Sequence, residues 1–586
     1  MKRSAIFLSL FSALFFAGIV WAAYQASADQ ATAPSAVPLS KYVPAGPLLY
    51  LEAKDFSTLL ADWNSSSQKK QWVESSNYEV FSRSRLFLRL HGAGDQFAAA
   101  AGLPPDMDFL SQVAGTRSAV ALYDIGNLQF LYITYLPSAK SMQTSLWQTR
   151  AKFEPRSAGG VNFYLRRDPE SQREVAFAVS GDYLLLATRE DLLAGALQLM
   201  SGSSHGDDRH GDDRSVESEP WWSQSAAASA APGDLRMVMN LEKIVPSPYF
   251  RTYWVQQNIT DLSQYSAAIS DLFRSGKQYR EDRVLLRKAS PATASSGDGY
   301  EAAADLVRLV PDSVGVYEAK ANPAPDACFD LLETKLLAPH LGPAPPSQLA
   351  PQVAITSGET GSGSDLETRI DIDQSPVHHP VTTQNTTALQ ELFSKTHILA
   401  SLQVQSTEPD RPGVFVRIHS AVVLTAASDW NEANVESALI EFVRPGLTAS
   451  QFGVAWQQKS SYRQLDGLWP LAVSVRGKYL LISDDPNLIE AVLSNFNRKS
   501  EAKPAAFLAG LNHARERANF ARFSNLVDRP NQSQFNATGD SERRPQFFSQ
   551  NIASLSSTLA GVTAERIAVR AEGDKLLQTV TYEWAQ

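Results

Sequence analysis

Val179-Ser180-Gly181-Asp182-Tyr183-Leu184-Leu185-Leu186 returns 296 residues later as Val475-Arg476-Gly477-Lys478-Tyr479-Leu480-Leu481-Ile482. Each copy runs through acidic and polar residues into an amphipathic helical pattern, Asp191–Met200 and Asn487–Phe496. A repeat on this scale constrains the architecture more than any single motif, because two equivalent cores must be built from it. Its matched residues are core and turn types that carry little chemistry.

Other blocks recur in the same order. Val43-Pro44 leads to Tyr50-Leu51-Glu52-Ala53-Lys54, and Val310-Pro311 leads to Tyr317-Glu318-Ala319-Lys320. Asp282-Arg283-Val284-Leu285-Leu286-Arg287 matches Glu565-Arg566-Ile567-Ala568-Val569-Arg570, with Pro220/Pro504 and Asn240-Leu241/Asn525-Leu526 between. The offset is 267 residues at Val43/Val310, 296 at Gly181/Gly477 and 284 at Pro220/Pro504. Both insertions that these offsets require can be located. Residues 340–385 are rich in Pro, Gly and Ser and bury too little apolar surface to offset the entropy of ordering them, so a mobile loop is predicted. Residues 201–219 hold the tandem pentapeptide His205-Gly206-Asp207-Asp208-Arg209, His210-Gly211-Asp212-Asp213-Arg214, as a tolerant loop tip can. The predicted layout is an N-terminal segment 1–28, a linker 29–40, a first half 41–290, a linker 291–301 and a second half 302–586.

Each half reads as α+β. Leu48–Glu52 forms a strand leading to Asp55 as N-cap of a helix with Phe56, Leu59, Leu60 and Trp63 on one face. Ser118–Tyr123 and Leu128–Tyr135 read as paired strands across the turn at Asp124–Asn127. Gly181 and Gly477 take the turns of two hairpins, where glycine supplies the positive φ. The expected fold class is therefore α+β, two tandem homologous halves, each an antiparallel β-sheet with amphipathic helices covering one face.

The 586 residues are 44% hydrophobic and 20% charged with net charge −9, a globular balance with no basic field for nucleic acid. At the N-terminus, Lys2-Arg3 precede an uncharged run from Ala5 to Ala23, the pattern of an export signal. Ala26-Ser27-Ala28 offers a cleavage site, while the apolar run is long enough to span a bilayer. The mature chain is thus either soluble in the periplasm or anchored to the inner membrane by residues 5–23. The single cysteine, Cys328, excludes an internal disulfide and reads as a small buried hydrophobe at a helix start.

No catalytic constellation emerges. Gly202-Ser203-Ser204-His205-Gly206 fits G-x-S-x-G, but it follows a helical pattern where a nucleophile elbow follows a strand. Ser67-Gln68-Lys69-Lys70 fits S-x-x-K without its companion motifs. The His/Asp loop 205–214 and His378-His379 offer zinc-type ligands, weighed against solvated insertions. Trp221-Trp222 either anchors a partner or plugs a core edge. No catalytic, cofactor-binding or metal residue is therefore assigned, and no cofactor is expected.

The order of blocks resembles a family of Gram-negative envelope proteins, the YfaA-like proteins. The resemblance rests on the export segment, Val43-Pro44-Ala45-Gly46-Pro47-Leu48-Leu49-Tyr50-Leu51-Glu52, Gln71-Trp72-Val73-Glu74 and the Gly-x-Tyr-Leu-Leu hairpins. It implies a genomic neighbourhood beside bacterial α2-macroglobulin-like protease traps and supplies no site residues. The expected function is that of a non-enzymatic periplasmic accessory or protein-binding component of an envelope system. The alternatives are an envelope hydrolase with dispersed catalytic residues and a purely structural membrane-anchored protein.

Overall fold

A computed structural model describes residues 37–584 except 84, 105–108, 170, 203–213, 230–231, 249–261, 276–277, 289–296, 338–386, 410–415, 448–454, 468 and 517–560. The N-terminal segment 1–28, most of the 201–219 insertion and the whole of 340–385 lie outside the described residues. The chain forms two compact units, residues 1–296 with 409–417 and 507–586, and residues 297–408 with 418–506.

The first unit holds β1 (Leu49–Ala53), β2 (Arg117–Asp124), β3 (Gln129–Tyr135), β4 (Glu154–Ala158), β5 (Val161–Arg167), β6 (Glu174–Ser180), β7 (Tyr183–Ala187), β8 (Leu235–Asn240), β9 (Tyr265–Ser275) and β10 (Gln278–Arg287). All pair antiparallel in the order β4-β5-β6-β7-β3-β2-β1-β8-β9-β10. Its helices include α1 (Phe56–Ser65), α2 (Arg85–Ala101), α3 (Phe109–Val113), α4 (Glu190–Ser201) and α5 (Pro220–Ala228).

The second unit holds β11 (Val316–Ala321), β12 (Ile398–Pro409) up to Glu408, β13 (Val416–Ala426) from Ile418, β14 (Trp456–Gln458), β15 (Arg463–Leu465), β16 (Leu471–Arg476) and β17 (Tyr479–Ser483). Here β14-β15-β16-β17-β13 pair in that order and β11 pairs with β12, all antiparallel. Around one core lie α7 (Pro325–Leu332), α8 (Thr387–Lys395) and α9 (Glu432–Leu447), while α6 (Asp298–Val307) and α10 (Pro486–Ser494) are further amphipathic helices of the unit.

The remaining strands, β18 (Phe507–Leu511), β19 (Val562–Glu572) and β20 (Lys575–Trp584), belong to the first unit. β20 pairs with β19 and, from Gln278↔Glu583 to Leu286↔Lys575, with β10. The compact units are therefore cut differently from the sequence halves 41–290 and 302–586, because this long pairing carries the C-terminal strands to β10.

Local chemistry sets the elements as expected. The Asp55 carboxylate accepts the Thr58 N–H at 3.0 Å and starts α1. Gly181 and Gly477 turn their hairpins at φ +55° and +56°, each first in a two-residue Gly-x loop of the type II′ kind. One expectation is corrected. Val175, Ala176, Phe177 and Ala178 are each 0% exposed, so this part of the sheet is covered on both faces rather than one. Ala176 and Ala178 pack with Leu192, Leu193 and Leu197 of α4, and Val175 and Phe177 pack with Ala100, Ala101 and Leu103 at the end of α2. Burying three leucines at about 1.5–3 kcal/mol each matches much of a domain's whole net stability of roughly 5–15 kcal/mol. α4 is thus part of the core.

The third pair of matching blocks takes different places in its two hairpins. Asp282–Arg287 lies in β10, the later strand of its hairpin, whereas Glu565–Arg570 lies in β19, the earlier one. Strand patterns with a two-residue period resemble one another whatever their place in a sheet. Asn525-Leu526 lies outside the described residues. Asn240 ends β8 and accepts the Lys243 N–H, and Asn512 follows β18 and accepts the Arg515 N–H.

Candidate functional site

Among the described residues, none of the sequence motifs comes together into a reacting group. Gly202 is the left-handed C-cap of α4 at φ +65°, and Ser203–His205 beyond it lie outside the described residues. The ligand candidates 205–213 and His378-His379 also lie outside them. Among the described residues no three His, Cys, Asp or Glu side chains group as a metal site. Ser67–Val73 is a helix capped by Ser66, with Lys69 Nζ on Asn64 Oδ1 at 2.6 Å. Cys328 is 0% exposed within the core around Phe329, Leu332 and Phe442. Trp221 and Trp222 open α5 behind Pro220 and are buried in the first unit's core. Trp222 meets Tyr50 edge to face at 4.9 Å, and Trp221 Nε1 donates to Glu219 Oε2 at 2.9 Å. They plug the core.

A site appears where the sequence announced none, on one face of β2 and β3. Side chains alternate along a strand. Ala119, Ala121, Leu131 and Ile133 point into the core and are at most 3% exposed. Their neighbours Val120, Leu122, Phe130 and Tyr132 point the other way, are only partly buried, and floor a cavity of ≈ 710 Å³. α2 and α3 roof it with Phe97, Ala98, Phe109 and Leu110. Phe97 stands 5.7 Å from Phe109 and 6.0 Å from Phe130 between ring centres. The Tyr132 hydroxyl donates to Val113 O at 2.9 Å, and burial pushes its phenol pKa up, so it stays protonated.

The rim is polar. Arg173, Glu174 and Thr188 line both this cavity and an adjoining polar pocket of ≈ 820 Å³. Glu174 is held by Arg167 and accepts the Glu190 N–H at 3.2 Å. Thr188 Oγ1 accepts the Phe130 N–H at 2.9 Å. His91 pairs with Asp95 at 3.1 Å, and Arg189 Nε donates to Asp191 at 2.9 Å. Arg173 donates from Nε to Gln96 Oε1 at 2.6 Å and from Nη1 to Asn127 O at 3.0 Å, and among the described residues it has no carboxylate partner. An apolar chamber with engaged polar groups at one end suits binding. The nucleophile–base pair that covalent chemistry requires is not assembled there among the described residues.

The second titratable cluster lies in the β10–β20 pairing. Arg283 grips Glu281 in a fork, both N···O distances 2.5 Å, with the two side chains 5% and 4% exposed. Ser270 Oγ donates to Glu281 at 2.6 Å, and Arg283 Nη1 reaches Gln578 Oε1 at 3.4 Å. Burial pulls the Arg283 pKa down, and the adjacent Glu281 carboxylate outweighs it and raises it overall. Burial raises the Tyr582 phenol. This cluster is closed and structural in character.

Sequence reasoning missed the cavity because its floor and roof come from residues 56 to 188. The available signal was His91-Gly92-Ala93-Gly94, small residues inside an otherwise amphipathic helix.

No protein-family model matches this sequence, and no curated protein matches it. Among solved structures it is similar to crystal form I of TP0453, at 11% identity and TM-score 0.23, over 44% of this chain and 83% of that one. Crystal form III of TP0453 gives 9% identity and TM-score 0.22 over 45% and 84%, and crystal form IV gives 10% and 0.21 over 43% and 81%. Likeness this slight transfers neither fold nor function.

Proposed function

We propose that this chain is a non-enzymatic accessory protein of the bacterial envelope. It is exported through residues 1–28, is periplasmic or anchored at the inner membrane by residues 5–23, and acts by binding a protein partner, an α2-macroglobulin-like protein. Two tandem homologous α+β halves form its scaffold. What supports the duplication is the order of pairings: β4-β5-β6-β7-β3 recurs as β14-β15-β16-β17-β13, β1-β2 as β11-β12, and β8-β9-β10 as β18-β19-β20.

The observation that carries the partner reading lies in the connection between β1 and β2. Val73, Phe81, Leu88 and Leu110 are 46%, 37%, 58% and 57% exposed, on the helices Ser67–Val73, Ser76–Ser82, α2 and α3 of one segment. Scattered exposed apolar residues are ordinary, whereas several large ones in one segment mark a contact surface. Among the described residues of the first unit, the remaining exposed large hydrophobics, Val37, Tyr135 and Met142, are isolated in the chain.

The test is photocrosslinking in cells from a reactive side chain placed at Leu88 or Leu110, with Arg570 on β19 as an exposed control. The expected product joins the chain to the α2-macroglobulin-like protein from the first two positions and not the third. Absence of that product at both, with the partner expressed, defeats the proposal.

A further inference from the structure

We infer that the cavity under α2 and α3 binds a single-chain anionic amphiphile, with its acyl chain along Val120, Leu122, Phe97 and Phe130 and its headgroup at Arg173. The inference goes beyond the protein-partner reading, which rests on Val73, Phe81 and Leu88 together with Leu110, and of these only Leu110 also lines the cavity.

Size is the first ground. Small-molecule pockets run about 300–1,000 Å³, are mostly apolar and keep a few convergent polar groups. The ≈ 710 Å³ here falls in that class. The two tails of a diacyl phospholipid need more room than this, and one acyl chain needs less. Interiors otherwise pack to crystal density, so an apolar space between helices and sheet calls for an occupant.

The roof keeps that space open at a cost to itself. Gly92 and Gly94 sit inside α2, where glycine is the weakest helix former after proline. Packing does not demand them, because a Cβ built at either meets nothing within 4 Å. Of the two, Gly94 lines the chamber, and a larger residue there would fit and reach into it.

Charge sets the polarity of the ligand. The acidic groups that line the cavity are already engaged, Glu174 by Arg167 and Asp95 by His91. Glu190 faces only the adjoining polar pocket. Arg173 keeps its Nη2 donors unengaged among the described residues, at the junction of apolar and polar space. A guanidinium in that position matches a carboxylate or phosphate.

The experiment titrates purified full-length chain with palmitate, hexadecanol and palmitoyl lysophosphatidylglycerol by calorimetry. Palmitate should bind saturably at one site, about tenfold or more tighter than hexadecanol, and Arg173→Gln should remove that difference. Gly94→Leu should weaken palmitate about tenfold or more with the thermal midpoint kept, and Val120→Phe serves the same purpose from the floor should the first fail to fold. The tighter of palmitate and the lysolipid identifies the source of the chain. Three results overturn the proposal: no saturable palmitate binding, which leaves the chamber to a segment of this chain or to a protein; binding unchanged in both filling variants; or an equal loss for palmitate and hexadecanol in Arg173→Gln.

Discussion

Replacing Arg283 by Met should be among the most damaging single changes in the first unit, and replacing Glu281 as well should undo most of the damage. In the native pairing, Glu281 receives two short guanidinium hydrogen bonds from Arg283 and one from Ser270. Arg283→Met leaves Glu281 buried with Ser270 alone. Hydrogen bonds to charged groups are worth about 1.5–3 kcal/mol each, and breaking a buried pair from one side costs about 3–5 kcal/mol. The double variant Glu281→Met/Arg283→Met removes both charges. Its new side chains would sit opposite Leu272 and Ser270 of β9 and Val580 and Gln578 of β20, with Tyr279 and Leu285 next along the same face of β10. Such replacements are commonly neutral or stabilising by about 1–4 kcal/mol. Guanidinium unfolding followed by circular dichroism gives the global values, and amide exchange in β10 and β20 reports the strands themselves. A cost under about 1 kcal/mol for Arg283→Met would mean that water reaches the pair, and a double variant as unstable as the sum of the singles would sink the desolvation argument.

Tyr50→Phe tests stability at alkaline pH. Burial raises the Tyr50 phenol pKa, helped by Glu52, which accepts its hydroxyl at 2.6 Å. With the folded pKa above the unfolded value near 10, its contribution is fully present below pH 10 and is lost as pH climbs toward the folded value. Above pH 10 the variant should therefore lose stability less steeply than the parent, by about 1.4 kcal/mol per pH unit, and identical slopes would refute the assignment. Trp222→Ala should cost about 3–5 kcal/mol by equilibrium unfolding, since it opens a cavity beside Tyr50. A near-neutral value would return the tryptophan to the surface role considered from sequence.

What the sequence disclosed was local. The Gly181 and Gly477 turns, the strand before Asp55 and the capped α1 all depend on neighbours a few residues apart. The uninterrupted apolar run Val175–Val179 already implied a strand covered on both faces, yet the alternation of strand pairs with amphipathic helices suggested a one-faced sheet. Matching Asp282–Arg287 with Glu565–Arg570 failed because strand composition records alternation and burial but not neighbours in a sheet. The chamber was illegible for a different reason. Phe97, Val120 and Leu186 line it from three separated elements, and only tertiary packing determines that α2 stands off from the sheet.

The β10–β20 pairing also has a clock attached. Arg283 and Gln578 are 295 residues apart, and at synthesis rates of about 5–20 residues per second the second strand follows the first by roughly 15–60 s. For that interval β10 is a long strand with an unclaimed edge, carrying Val284, Leu285 and Leu286 toward its end, which is the geometry that recruits strands from other chains. Its centre, however, reads Arg280-Glu281-Asp282-Arg283. Four consecutive charges are gatekeepers against that recruitment. The pair that costs desolvation in the finished sheet is thus the same pair that keeps the waiting edge from being taken by a stranger.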